Sequence, residues 1–176
     1  MTTTMALDLN DYLPSVADFP RPGVVFRDIG PLLASPAAFA QAIDGLAAAA
    51  ASREFTRIAG IESRGLIFAA ALALQLGKPL VPVRKPGKLP RTRLREEYAL
   101  EYGTDALEMH EDAIAKGSRV VIVDDVLATG GTARAVASLV RRAGGHPGGA
   151  LFLNELGYLG GAAKLGDLPV RALLRY

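Results

Sequence analysis

Val120-Val121-Ile122-Val123-Asp124-Asp125-Val126-Leu127-Ala128-Thr129-Gly130-Gly131-Thr132 is the stretch from which the fold can be read. Four β-branched residues in a row, Val120 to Val123, predict a strand buried on both faces, as in a parallel sheet. The apolar run stops at two carboxylates, Asp124 and Asp125. A turn of small residues follows, and a helix is predicted over Thr132 to Ala143. Gly130 and Gly131 permit backbone angles closed to other residues and let a ligand come near the main chain, beside the small Ala128. The N–H groups of the turn and the helix N-terminus make a concave anion site, to which Thr129 and Thr132 add hydroxyls. Bare phosphate would be repelled by two adjacent carboxylates. A ligand that carries hydroxyls as well as phosphate suits both halves, and ribose 5-phosphate is such a ligand. A tight strand-to-helix turn with solvated or capping aspartates would use the same residues.

Outward from this stretch, other elements fall into alternation. Ser35-Pro36 suits the start of a helix that places Phe39, Ile43 and Leu46 on one face. Arg57 to Ile61 reads as a short buried strand, followed by Glu62-Ser63-Arg64-Gly65 and a helix to Leu76, with Gly77 as its stop. Leu80 to Arg84 is a further strand. Tyr98 to Tyr102 and Leu107 to His110 are expected to form a hairpin around Gly103-Thr104-Asp105. Gly144 to Gly149 reads as a loop, and Ala150 to Leu153 and Val170 to Leu174 as the last strands. The order predicts an α/β fold with a mostly parallel central sheet flanked by helices, whose ligands collect at the carboxyl ends of the strands. No lysine follows Gly130-Gly131, which excludes a Walker A loop, and the only Gly-rich run with dinucleotide-like spacing follows a helix, not a strand.

The 176 residues are half hydrophobic and 22% charged, with a net charge of +2, so total charge does not suggest a nucleic-acid binder. Between Arg84 and Arg95 lie six basic residues (Arg84, Lys85, Lys88, Arg91, Arg93, Arg95) and no acidic one, a stretch suited to a polyanion. There is no cysteine, which removes disulfides and thiolate chemistry. With no secretory signal and no apolar run long enough to span a bilayer, a soluble cytoplasmic protein with no nucleic-acid or membrane partner is expected. His110 and His146 are too scattered for a metal site, and Tyr158 and Tyr176 read as packing residues.

Residues 120–132 resemble the signature of the type I phosphoribosyltransferases, which bind phosphoribosyl pyrophosphate (PRPP). Within that family the chain resembles the adenine phosphoribosyltransferases in four further segments: Phe19-Pro20-Arg21-Pro22-Gly23-Val24-Val25-Phe26-Arg27-Asp28-Ile29, Gly60-Ile61-Glu62-Ser63-Arg64-Gly65, Arg84-Lys85-Pro86-Gly87-Lys88-Leu89-Pro90 and Leu100-Glu101-Tyr102-Gly103. The resemblance implies one phosphoribosyltransferase domain over 1–176, with a base-binding hood over about 1–34 and a mobile lid over about 89–103. It implies that Asp124, Asp125, Ala128, Thr129, Gly130, Gly131 and Thr132 hold the ribose 5-phosphate of PRPP. Ser63, Arg64, Arg84 and Lys88 would hold its pyrophosphate, after a cis Glu62–Ser63 peptide. An ion pair of Arg64 with Glu62 is the plainer reading of that arginine. Phe26 and Val126 would sandwich adenine while the main chain of Val25 and Arg27 reads its edge. Arg64, Glu101 and Tyr102 would be catalytic, Glu101 taking a proton from the purine and Tyr102 closing with the lid. The resemblance also implies Mg²⁺ held by substrate and water, with no protein metal site. It implies a homodimer in which Lys88 reaches the neighbouring site. Another nucleobase as acceptor, or a PRPP-sensing regulator without catalysis, would keep the same PRPP loop.

Overall fold

In the computed structural model the described residues are Ala6–Ala99 and Gly103–Tyr176. The chain forms two compact units, one up to Gly45 and the other from Leu46 to the end.

The first unit holds a 3-10 turn (Leu9–Tyr12), an antiparallel pair of short strands, β1 (Ser15–Ala17) and β2 (Val25–Arg27), a short helix α1 (Gly30–Ala34) and the start of α2 (Pro36–Ala51). The turn between β1 and β2 includes a cis Phe19–Pro20 bond, and the Asp18 carboxylate accepts from the Gly23 N–H at 2.7 Å. Helix α2 starts where the sequence predicts. Ser35 Oγ accepts from the Ala38 N–H at 3.3 Å, and Pro36 occupies the first turn, where its missing N–H costs nothing. Its buried face is made by Ala38, Ala42, Ile43, Leu46 and Ala50, while Phe39 is only half-buried.

The second unit is a five-stranded sheet with every neighbouring pair parallel. Its strands are β3 (Arg57–Ile61), β4 (Leu80–Val83), β7 (Arg119–Leu127), β8 (His146–Glu155) and β9 (Val170–Arg175), in the order β4-β3-β7-β8-β9. Helix α3 (Gly65–Leu76) joins β3 to β4, and α4 (Gly131–Arg142) joins β7 to β8. Between β4 and β7 stands an antiparallel hairpin of β5 (Arg93–Ala99) and β6 (Thr104–His110). Val120, Val121, Ile122 and Val123 are fully buried; Val120 and Ile122 share a core with Val136, Leu139 and Val140 of α4. Helix α3 comes close to the sheet because Gly60 of β3 has no side chain, and a Cβ there would meet the Ala69 methyl. Gly77 ends α3 in a left-handed conformation, its N–H directed to the Ala73 and Leu74 carbonyls.

Four readings of the sequence are corrected here. The strand does not stop at the paired acids: β7 runs through Asp124 and Asp125 to Leu127, because β8 pairs with it as far as Glu155. Residues His146 to Gly149 are not loop but the start of β8, held against Arg119, Val120 and Val121. The expected hairpin around Gly103-Thr104-Asp105 is longer than read, since Arg93–Ala99 is paired residue for residue with Thr104–His110. Tyr158 is 70% exposed and so does not pack as expected.

The sheet order fixes where a ligand belongs. From β3 the chain crosses outward to β4 on one side, and from β7 to β8 on the other. The neighbours β3 and β7 therefore lead away from each other and leave a crevice beyond their carboxyl ends, the usual ligand position in an open α/β sheet.

Candidate active site

Beyond β3 and β7 lies a cavity of about 430 Å³. Ser63 and Arg64 contribute from the β3–α3 turn, Asp124, Asp125 and Val126 from the end of β7, and Ala128, Thr129, Gly130 and Thr132 from the β7–α4 turn. The Glu62–Ser63 peptide is cis. Gly131 lines an adjoining hollow and comes near the Ala99 carbonyl and the Tyr98 ring.

The β7–α4 turn is set by close backbone packing. Gly130 has φ +82°, and a Cβ on it would lie 2.6 Å from the Gly161 carbonyl oxygen. Gly161 in turn abuts the Ala128 carbonyl, so neither glycine has room for a side chain. No side chain caps the start of α4. The first-turn N–H groups, unused within the helix, and the positive end of its dipole therefore face the turn. Such a helix start is suited to an anion.

The acids are arranged against Arg64. Its Nε donates to Asp125 Oδ2 at 2.5 Å, and the Asp125 side chain is almost fully buried. Glu62, the alternative partner for Arg64, accepts from Arg84 Nε at 2.9 Å and from the Lys85 N–H at 2.7 Å. Burial alone would raise the Glu62 carboxyl, but these two donors and the charges of Arg84 and Lys88 hold it below the ordinary range. Asp124 goes the other way. Burial, then the neighbouring Asp125 charge, push its carboxyl well above the usual carboxylate range. Its Oδ1 accepts from the Asp125 N–H at 2.9 Å and lies against Gly65, where any Cβ would collide with it. Glycine at the start of α3 thus lets that helix close on β7. Behind the pair, Asn154 Nδ2 donates to the Asp125 carbonyl at 3.1 Å.

Among the lining residues that the sequence reading did not assign are Lys85 and Tyr98. Lys85 Nζ donates to the Tyr98 hydroxyl at 3.1 Å and forms an ion pair with Asp105. Hydrogen bonding from Lys85 keeps the Asp105 carboxyl low. Lys85 was visible as part of the basic run, but its partners come from the hairpin. Among the described residues lining the cavity, Arg84 and Lys88 do not appear. The six cations of the run are also not a bare positive field. Arg84, Lys85, Arg91, Arg93 and Arg95 are each paired, with Glu62, Asp105, Asp112, Glu108 and Glu97.

In the first unit, Val25 is half-exposed on β2, and Phe26 meets the Phe19 ring edge-on with centroids 5.1 Å apart. Arg27 donates to the Leu13 carbonyl at 3.4 Å. Glu101 and Tyr102 lie outside the described residues. No group of three or more His, Cys, Asp or Glu side chains that could hold a metal occurs among the described residues.

Residues 32–146 match the phosphoribosyl transferase domain family. The adenine phosphoribosyltransferase of Thermobifida fusca is 53% identical over 173 residues, 98% of either chain. The chain belongs to the adenine phosphoribosyltransferases. The crystal structure of that enzyme from Thermoanaerobacter pseudethanolicus superposes with a TM-score of 0.94 at 48% identity, over 96% of this chain and 98% of the other. That from Saccharomyces cerevisiae, complexed with an imino-altritol bisphosphate and adenine, gives 0.88 at 40% identity, over 94% and 96%.

Proposed function

We propose that the chain transfers the 5-phosphoribosyl group of PRPP to adenine, releasing AMP and pyrophosphate as a step of purine salvage. The observation that carries this is the juxtaposition of two carboxylates with an uncapped helix N-terminus at the sheet's switch point. One ligand must satisfy both, and a ribose phosphate does. The phosphate takes the N–H groups of Gly130, Gly131 and Thr132 with the hydroxyls of Thr129 and Thr132. The ribose hydroxyls donate to Asp124 and Asp125.

The bond that breaks joins ribose C1 to pyrophosphate, and the bond that forms joins C1 to adenine N9. The positive charge that develops on the sugar is stabilised by the nearby carboxylates. Ser63 and Arg64 receive the leaving pyrophosphate, with Arg84 and Lys88 supplying charge from the neighbouring segment. Glu101 accepts the purine proton from N7 as N9 becomes nucleophilic. With two carboxylates in the cavity, one of them engaged by Arg64, the donor set suits a Mg²⁺ ion carried on PRPP oxygens and water. So bound, the ion would neutralise charge on the leaving group. Phe26 and Val126 would stack on the base, and the main chain of Val25 and Arg27 would read its 6-amino group and N1. Hypoxanthine presents the reverse pattern there and would leave buried groups unpaired, at ~1–3 kcal/mol each. The reading includes a homodimer, on the resemblance of residues 84–90, and the cytoplasm, where so highly charged a donor is confined.

The test is a product assay with PRPP, Mg²⁺ and, separately, adenine, hypoxanthine, guanine, xanthine, orotate and uracil. AMP is the expected dominant product. Another nucleotide would keep the PRPP site and overturn the base reading, and no nucleotide with PRPP still bound would make the chain a sensor. In the same assay Glu101→Gln is expected to lower kcat by ~10²–10⁴-fold. Unchanged turnover would remove Glu101 from the mechanism.

A further inference from the structure

Glu108 sits on β6, away from the cavity lining, and its side chain is only 4% exposed. A carboxylate so deeply withdrawn from water needs donors. Among the described residues its Oε2 accepts from the Gly87 N–H at 3.0 Å and forms an ion pair with Arg93 Nε, also at 3.0 Å. Its main chain is engaged as well. Arg84 N–H donates to the Glu108 carbonyl at 2.9 Å, and Glu108 N–H to the Arg84 carbonyl at 2.7 Å. One residue thus fixes three points: the start of the basic segment at Arg84, its turn at Gly87, and the lid strand at Arg93.

The turn matters because of what it carries. Gly87 has φ +77°, and Lys88 N–H closes the turn on the Lys85 carbonyl at 3.3 Å. Lys85 projects into the cavity, and Lys88 lies near enough to Glu62 for its charge to lower that carboxyl. Glu62 grips the same segment from the other side, through Arg84 Nε and the Lys85 N–H. The segment from Arg84 to Lys88 is therefore suspended between two carboxylates, one on the turn after β3 and one on the hairpin. Without the Glu108 side chain the Gly87 turn loses this anchor, and the basic segment is left tied to the hairpin through Lys85 and the Arg84–Glu108 main-chain pair.

We propose that Glu108 is a positioning residue for PRPP, touching no substrate itself but setting the cations of 84–88 and the lid strand in register with each other. This rests on the phosphoribosyltransferase reading of the cavity. The experiment compares Glu108→Ala, Glu108→Gln and Arg93→Ala with the parent, in steady-state kinetics varying PRPP and adenine separately, in calorimetric titration with PRPP and Mg²⁺ alone, and in thermal melts. Glu108→Ala is expected to raise the KM and Kd for PRPP roughly tenfold, the scale of a small misplacement of binding groups. Its KM for adenine should stay within about twofold. Glu108→Gln, which still accepts from Gly87, is expected to recover most of the loss. Arg93→Ala should move PRPP affinity in the same direction by a smaller factor. A merely structural role would lower the melting temperature with PRPP and adenine parameters unchanged, and that result overturns the proposal. If Glu108→Ala does not fold, Arg93→Ala decides, since Arg93 is half-exposed; unchanged PRPP affinity there is equally fatal. Failure of the parent to bind PRPP would instead overturn the reading of the cavity.

Discussion

The two regions that frame the cavity are held by opposite means. The β7–α4 turn is fixed by backbone packing: small residues, left-handed Gly130, and the Gly130–Gly161–Ala128 contacts that leave no room for a methyl group. The arm from Arg84 to Ala99, beyond its backbone pairing with β6, is fixed by charge, through Glu62, Asp105, Glu108 and the grip of Arg142 on the Arg95 carbonyl and Glu96. On the proposed reading the turn must be rigid, because main-chain N–H groups, whose positions only the backbone sets, would recognise the phosphate. The arm must release and re-form if it closes over a substrate, and ion pairs at a partly wet surface cost little to exchange.

The largest effect is expected where the packing is tightest. Gly130→Ala forces a side chain into the left-handed region, at ~1–2 kcal/mol, and into the Gly161 carbonyl as well. We expect kcat/KM for PRPP to fall by ~10²-fold. Gly117→Ala is the control. Gly117 has φ +77° but open space around it, so the same strain arises without a collision. It should lose stability while PRPP kinetics stay unchanged. Equal loss of activity in both would mean that backbone strain, not the fit of the turn against Gly161, governs the site.

A second, intermediate effect concerns Asp124, where the rigid turn meets charge. Its carboxyl is raised in the folded state, so the fold holds this proton more tightly than the unfolded chain does. The stability this gives is complete below the unfolded carboxylate pKa and is lost as pH rises through the folded value. As pH rises, ionising the buried Asp124 beside Asp125 therefore becomes a burden on the fold. Asp124→Asn keeps an acceptor for the Asp125 N–H and removes that burden. Its melting temperature relative to the parent should climb from pH 5 to pH 8, while activity falls because a ribose hydroxyl loses its carboxyl partner. A gap that stays constant with pH would show that Asp124 does not titrate with folding.

The same division explains what could be read in the sequence. Packing that is local in the chain was legible. The run Val120 to Val123, the glycines at 130 and 131, Ser35-Pro36 and Gly77 each announce their structure within a few residues. The end of β7 was misread because aspartates are poor strand formers, yet Asp124 and Asp125 are carried in the sheet by β8 and by Asn154, some thirty positions away. His146 to Gly149 looked like a loop for the same reason, since only Arg119 to Val121 makes it a strand. Charge pairing was hardly legible at all. Nothing near Lys85 identifies Asp105, and nothing near Gly87 identifies Glu108. The basic run was visible and its neutralisation was not.

That neutralisation sets the smallest expected effect. If the arm acts through the placement of particular cations, then cations that merely decorate it should be dispensable. Arg95 pairs with Glu97 two residues along the same strand, at 3.1 Å, with both side chains more than half-exposed. Such a pair is worth at most ~0.5–1 kcal/mol and is screened by salt. Arg95→Ala should therefore leave the melting temperature nearly unchanged. It should keep the KM for PRPP within about twofold at low salt, as at high salt. The alternative is that the run draws PRPP in through its summed field. Removing any one positive charge would then weaken PRPP capture at low ionic strength, and the loss would vanish as salt is added. Titrating salt against the KM of parent and Arg95→Ala separates the two: parallel curves leave the arm a device of position, and curves that converge as salt rises make it a device of field.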